Sequence, residues 1–305
     1  SLSMKEYPQE LFDSFGLTVV DEVHHISSQV FSRSLMKIVT KYTLGLSATM
    51  NRKDGLTKVF KMFLGDVVYK EIRKCEDNVL VKAIEYSNTD EDFNKMEYDY
   101  KGHPKYSTMI SKLCSYSYRT EFILKVIQKE LSINNDQQII VLAHNKNVLT
   151  YLHDAIEHRN IATVGYYVGG MKEVNLKISE TKQVIIATYS MAAEALDIKT
   201  LTTLLMATPK TDITQAVGRI LRAKHEQPLV IDIKDTHSLF QNQWKKRVRF
   251  YNKQKYKIME TTCSMYLTEG EIQWTELKPK KRGRKFKNYN ENQNEFTGKC
   301  LITDI

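Results

Sequence analysis

Apolar and polar positions along this chain switch repeatedly between the period of a strand and that of a helix. Residues 17–23 (LTVVDEV) form an apolar run with a polar end, the pattern of a buried strand that emerges at Asp21. Residues 29–42 place Val30, Phe31, Leu35, Ile38 and Val39 on one side of a helix, and residues 43–49 (TLGLSAT) return to a strand ending in small polar residues. A helix over 56–64 stops at Gly65, and residues 79–86 (VLVKAIEY) alternate as another strand. Residues 87–105 are polar and acid-rich and read as an insertion or linker. From residue 119 the pattern becomes regular. Helices are predicted over 119–131, 147–158, 171–180 and 211–222, and strands over 138–144, 162–168, 184–188, 201–208 and 229–233. Strands separated by helices imply parallel sheets built from right-handed crossovers, so the fold class is α/β with two units in tandem, the first incomplete. A long basic helix over 237–259 and a turn-rich, polar remainder follow.

Length and composition narrow the class of protein. The 305 residues suffice for about two domains, and 42% hydrophobic with 27% charged residues exclude a chain disordered throughout. The aliphatic runs fall far short of the ~20 residues that cross a bilayer, and the opening SLSMKEYPQE lacks a signal-peptide core. The four cysteines are scattered, which argues against a disulfide framework or a CxxC metal site and for a reducing compartment, cytoplasmic or nuclear. The net charge of +9 is concentrated. Residues 244–257 and 278–287 each hold seven Lys or Arg and no acid. Basic residues interleaved with Tyr, Phe and Trp, Lys245, Lys246 and Arg247 among them, suit a phosphate-backbone partner; a solvated helix face and a flexible tail are the plainer alternatives.

Several positions carry candidate chemistry. Asp21 and Glu22 are adjacent carboxylates at the end of an apolar strand, and ligands gather outside such ends in open α/β sheets. One carboxylate there can hold Mg2+ and its neighbour can orient an attacking water, although an acidic turn has the same sequence. In QAVGRILR (215–222), Ile213, Ala216, Val217 and Ile220 share one helical face and are expected in the core. Gln215, Arg219 and Arg222 share another face and would offer one amide and two guanidinium groups to a common point, suited to a triphosphate. Gly169-Gly170 either cradles a phosphate at a helix start or makes a plain turn, and Asn145 is either a backbone contact or a helix cap.

Taken together, these segments resemble the motifs of superfamily 2 helicases. DEVHH (21–25) resembles motif II in its DExH form, SAT (47–49) motif III, VLAHNKNVLTYL (141–152) motif IV, ATYSMAAEALDI (187–198) motif V and QAVGRILR motif VI. The five stand in the family's order. The pattern is most similar to XPB/UvsW-like helicases and translocases, and residues 232–251 are similar to the end of helicases encoded by large nucleocytoplasmic DNA viruses.

The resemblance implies two RecA-like parallel-sheet domains. Residues 1–86 would be the C-terminal part of the first, 87–118 a linker or insertion, 119–236 the second, 237–260 a basic helix and 261–305 a tail. It implies ATP and Mg2+ as cofactors, with Asp21 on the metal and Glu22 on the attacking water. Gln215, Arg219 and Arg222 would complete the catalytic set, and His24, Glu194 and Asp197 would also face the nucleotide. Ser47, Thr49, Asn145, Gly169, Gly170 and Thr188 would meet nucleic acid, DNA in preference to RNA. Where the family has EGLD in motif V this chain has EALD, with Ala195 in the glycine slot.

The phosphate loop GxxxxGK[ST] does not occur. The only Gly-Lys pair, Gly298-Lys299, precedes Cys300, and position 293 is Gln293. The expectation is therefore an N-terminally truncated piece of a virus-encoded ATP-dependent helicase or translocase, inactive alone, with a first unit that is poorly folded or exposes apolar surface. The alternative is a non-catalytic nucleic-acid-binding relative.

Overall fold

The computed structural model describes residues 7–23, 29–38, 40–47, 57–70, 78–194 and 196–279. The chain divides into two units, residues 1–74 and 75–305.

In the first unit β1 (Leu17–Val20), α1 (Gln29–Lys37), β2 (Tyr42–Gly45) and α2 (Thr57–Leu64) follow the predicted alternation with shorter bounds. The two strands pair in parallel, from Leu17 opposite Tyr42 to Val20 opposite Gly45. Leu17, Val19, Tyr42, Leu44 and Leu46 are exposed, so these strands leave apolar side chains uncovered among the described residues. Gly45 has a steric reason. A Cβ there would lie 2.7 Å from Val23 Cγ2 and 2.8 Å from Leu64 Cδ1, so only glycine lets α2 and the turn after β1 close over β2.

The second unit begins with β3 (Leu80–Tyr86), α3 (Glu91–Asn94), α4 (Tyr106–Ser115) and α5 (Ser117–Ile133). There follow β4 (Ile139–Ala143), α6 (Lys146–His158), β5 (Val164–Tyr167), α7 (Glu173–Glu180), β6 (Val184–Thr188) and α8 (Tyr189–Glu194). Then come β7 (Thr203–Met206), α9 (Thr214–Arg219), β8 (Leu229–Asp235), α10 (Ser238–Lys253), β9 (Lys257–Thr262), α11 (Cys263–Tyr266) and β10 (Thr275–Glu276). The strands form one eight-stranded sheet in the order β10-β9-β3-β8-β7-β4-β6-β5, with β10 the only antiparallel member. Alternate residues of β4 serve opposite layers. Ile139, Val141 and Ala143 pack with α4, α5 and α6, whereas Ile140 and Leu142 pack with α8, α9 and α10.

Three expected boundaries are corrected. The strand near 79–86 belongs to the second sheet, hydrogen-bonded in parallel to β8 on one edge and β9 on the other. Its alternation reveals a strand but says nothing about partners, and β8 lies far along the chain. Residues 87–118 are not a free linker, because Phe93, Met109, Ile110 and Leu113 are buried in the main core. The basic helix ends at Lys253, and the chain re-enters the sheet as β9.

Two carboxylates on β8 organise this unit. Asp235 accepts Arg119 Nε at 2.6 Å and Nη2 at 2.9 Å, while Arg119 Nη1 donates to the Ala207 carbonyl at 2.7 Å. On the opposite face, Asp232 accepts Arg247 Nε at 2.7 Å, Arg247 Nη2 at 2.8 Å and the Tyr251 hydroxyl at 2.9 Å. Arg247 Nη1 reaches the Lys210 carbonyl at 3.0 Å. All four charged groups are buried. Such pairs survive burial because each charge is met by an opposite charge and by further hydrogen bonds. Arg247 was expected on nucleic acid. Instead it lies on the inward stripe of α10 with Phe240, Trp244 and Tyr251, at helical spacing, leaving Lys245, Lys246 and Arg249 exposed. Removing one partner strands the other charge in the core. Arg119→Ala should therefore lower the unfolding free energy by about 3–5 kcal/mol, read from urea melts of the chain. Arg159→Ala, which breaks the surface pair with Glu121, should lower it by about 1 kcal/mol or less.

Candidate functional site

Asp21 and Glu22 form the turn that ends β1. The Val23 amide donates to the Leu46 carbonyl at 3.0 Å and the Leu46 amide to the Val20 carbonyl at 2.8 Å. The acidic turn is thus bracketed by the end of β2, and Ser47 is the next residue of that strand end. Glu22 has φ +48°, a left-handed conformation that costs a non-glycine residue roughly 1–2 kcal/mol. Asp21 Oδ1 accepts the Glu22 amide at 2.8 Å and holds the turn. Two carboxylates in a strained turn at the C-terminal ends of parallel strands occupy the place where such sheets bind ligands. His24 and Thr49 lie outside the described residues.

In the second unit motifs V and VI meet. Ile213, Ala216, Val217 and Ile220 are buried as their spacing predicts, and Gln215 is exposed. The two arginines reach different groups of the 192–197 segment. Arg219 Nε donates to the Ala192 carbonyl at 2.5 Å, Nη1 to the Leu196 carbonyl at 2.7 Å and Nη2 to the Ala193 carbonyl. The C-terminal end of α8 leaves carbonyls without helical partners, and a cation there satisfies them and opposes the helix dipole. Arg219 is thereby held on the end of α8, and its contact Leu196 is the neighbour of Asp197 in sequence. Arg222 lies beyond the end of α9 and pairs with Asp197, Nη1 to Oδ1 at 2.5 Å, with both side chains open to solvent. Glu194 closes α8, and its side chain is outside the described set, as is Ala195.

The strand ends beside this pair are also resolved in detail. The Thr188 hydroxyl is buried, 3.1 Å from the Ser190 hydroxyl, and accepts the Met191 amide at 3.4 Å, so it caps α8. Ser190 is the exposed hydroxyl at this strand end. Asn145 stands at the N-cap of α6 without a side-chain cap bond. Gly169-Gly170 is a turn, and α7 starts only at Glu173, with a carboxylate in its first turn. Glu173 is itself paired with Lys177, Oε1 to Nζ at 3.0 Å, on the exposed side of α7. Lys245 and Lys246 are exposed on α10.

The segment after β7 escaped sequence reasoning. The Thr208 hydroxyl accepts the His144 amide at 3.0 Å and lies 2.8 Å from His144 Nδ1. The Tyr189 hydroxyl donates to the Thr208 carbonyl at 2.5 Å, and the Tyr106 hydroxyl to the Pro209 carbonyl at 3.4 Å. Lys210 Nζ lies 4.7 Å from the centre of the Tyr189 ring. With the carbonyls of Ala207 and Lys210 held by Arg119 and Arg247, the lead-in to motif VI is fixed residue by residue. An acid within the apolar run LVIDI was the available signal, because a carboxylate inside a buried strand requires a cation.

The profile of the Type III restriction enzyme res subunit (ResIII) matches residues 2–52. A protein of Acanthamoeba polyphaga mimivirus, L396, provisionally named an ATP-dependent RNA helicase, is 37% identical over 283 residues, covering 90% of this chain and 54% of its own length. The chain is thus similar to proteins of large DNA viruses that are named helicases. It spans about half the length of that mimivirus relative. Among solved structures, phage T4 UvsW aligns with TM-score 0.50 and 20% identity over 84% of this chain and 56% of UvsW. Saccharomyces cerevisiae Dbp5, bound to RNA and ADP BeF3, aligns with TM-score 0.55 and 11% identity over 83% of this chain and 61% of its own. Both carry the tandem RecA-like fold. No described helix is long and apolar enough to cross a membrane.

His144 gives the site a pH signature. Burial, and secondarily the charge of Lys210, push its imidazole down to about 4. As pH falls below about 6.5 the unfolded chain takes up this proton first, so stability complete above that pH is lost down to about pH 4 and then levels off. The slope from this group is at most roughly 1.4 kcal/mol per pH unit. Urea midpoints of wild type and His144→Asn, compared from pH 7.5 to 4, should show a steeper acid loss in the wild type. Equal slopes, or an imidazole that titrates near 6.5 by NMR, would contradict it.

Proposed function

We propose that the parent protein is an ATP-dependent translocase or helicase on single-stranded nucleic acid. Asp21, Glu22 and Arg222 are the residues assigned to nucleoside triphosphate cleavage. RNA is the strand for which the mimivirus relative is named, and DNA is the strand favoured by the sequence pattern. The observation that carries this reading is the exposed Arg222–Asp197 pair, which leaves a guanidinium next to motif V and accessible to a phosphate.

Each residue has a task that follows from its chemistry. Asp21 is an exposed carboxylate at a strand end, the single protein oxygen ligand that Mg2+ commonly takes beside phosphates and waters. When bound, Mg2+ would neutralise phosphate charge. Glu22 accepts a proton from the attacking water, and the backbone strain at its φ fixes where its carboxylate starts. Arg222 exchanges Asp197 for phosphate oxygens and stabilises the charge that shifts during cleavage. That exchange releases Asp197 from its partner. Because Arg219 clamps α8 from α9, the change is transmitted to Ser190 and the strand end, where nucleic acid is gripped. The phosphate loop that this chemistry needs is assigned to the part of the relatives' length that this chain does not span.

The test uses the complete gene product. It should hydrolyse ATP faster when single-stranded nucleic acid is added. Arg222→Ala should reduce that turnover by about 10³-fold or more, with nucleic-acid affinity changed little. Retained binding with no turnover in the unsubstituted complete protein would instead support the non-catalytic reading.

A further inference from the structure

Residues 97–105 were expected to belong to a featureless acidic stretch, yet they form a compact hairpin. Tyr98 and Pro104 make an antiparallel bridge, and the Lys105 amide donates to the Glu97 carbonyl at 2.9 Å. Asp99 builds the tip. Its Oδ1 accepts the amides of Lys101 and His103, each at 2.8 Å, its own amide donates to the His103 carbonyl at 2.8 Å, and its carbonyl accepts the Gly102 amide at 3.0 Å. Gly102 has φ +78°, which closes the turn. Lys112 of α4 ties down the stem by donating to the carbonyls of Asp92 and Lys95, and it lies 3.5 Å from Glu97 Oε1.

This construction decides what the hairpin displays. Asp99 is engaged by the tip amides and lies 3.5 Å from His103 Nδ1, Glu97 faces Lys112, and Lys101 and Lys105 are exposed. Tyr100 is 92% exposed and Lys101 Nζ lies 5.3 Å from its ring centre. Tyr98 is exposed as well. An isolated exposed tyrosine would mean little. A ring beside a cation on a hydrogen-bonded turn has backbone freedom already removed before stacking.

The root of the hairpin points to the ligand. Tyr106, the first residue of α4, places its hydroxyl 3.4 Å from His144 Nε2 and donates to the Pro209 carbonyl. His144 in turn packs 4.9 Å from the Tyr189 ring, the residue after Thr188. The hairpin therefore springs from the C-terminal edge of the sheet, beside the ends of β4, β6 and β7, where parallel sheets bind ligands.

We propose that this hairpin is a stacking pin for single-stranded nucleic acid, with the Tyr100 ring against a base and Lys101 and Lys105 near the flanking phosphates. Rings with flanking cations bind single strands of any sequence, whereas a duplex hides its base faces. The inference rests on the nucleic-acid reading above and adds a contact outside the family motifs.

Fluorescence anisotropy of the 305-residue chain tests it, with labelled oligo-dT and oligo-U of equal length and a duplex as probes. Tyr100→Ala should weaken single-strand binding roughly five- to 150-fold and leave duplex binding unchanged. Tyr100→Trp should retain single-strand binding. Since Tyr100 is exposed, both variants should melt as the wild type does. A larger loss on one of the two single strands still supports the pin and identifies the preferred sugar. Wild-type affinity in Tyr100→Ala, or equal losses on single strand and duplex, would overturn the pin while leaving the nucleic-acid reading intact. Failure of the unsubstituted chain to bind any probe would overturn both.

Discussion

Two buried carboxylates on one strand hold the second unit together. Asp232 and Asp235 point to opposite faces of β8, and each receives a guanidinium fork from a different helix. Neither aspartate could remain charged in the core without its arginine. The same two arginines reach past the carboxylates to the carbonyls of Ala207 and Lys210, one on either side of Thr208 and Pro209. The β7–α9 connection is thus held from both layers, and α9 can present Arg219 to one partner and Arg222 to another. The accuracy of the motif VI arginines depends on charges that never touch a ligand.

The two guanidinium groups of motif VI illustrate how one helix divides its labour. Arg219 satisfies the open end of α8 and binds motif V to motif VI as a single body. Arg222 stays exposed and holds Asp197, a partner that a phosphate can displace. An electrostatic exchange at one end of such a body is felt at the other, because packed elements move together rather than deform. In the proposed function, that is the link between a nucleotide and a strand of nucleic acid.

Much of this was legible before the coordinates. The alternation of strand and helix, the core face of α9 and the acidic turn after β1 all follow from spacing alone. Other features depend on partners distant in sequence. The residues of β3 read as a strand but not as the neighbour of β8 and β9, since alternation carries no information about pairing. Arg247 sits in a basic run, yet it falls in step with Phe240, Trp244 and Tyr251, and that phase, not the local charge, put it inside. The hairpin over 97–105 was hidden by its composition. Its acids looked like solvent-facing charge, whereas Asp99 is the hub of the tip.

The central proposal is that Glu22 and Arg222 both serve ATP hydrolysis by the complete protein. A double-mutant cycle on nucleic-acid-stimulated ATP hydrolysis by the complete protein tests it most directly. Groups that act as a unit are strongly non-additive. The account predicts that Glu22→Gln combined with Arg222→Ala is no slower than the more impaired single variant, within a few-fold. Losses that multiply independently would contradict it.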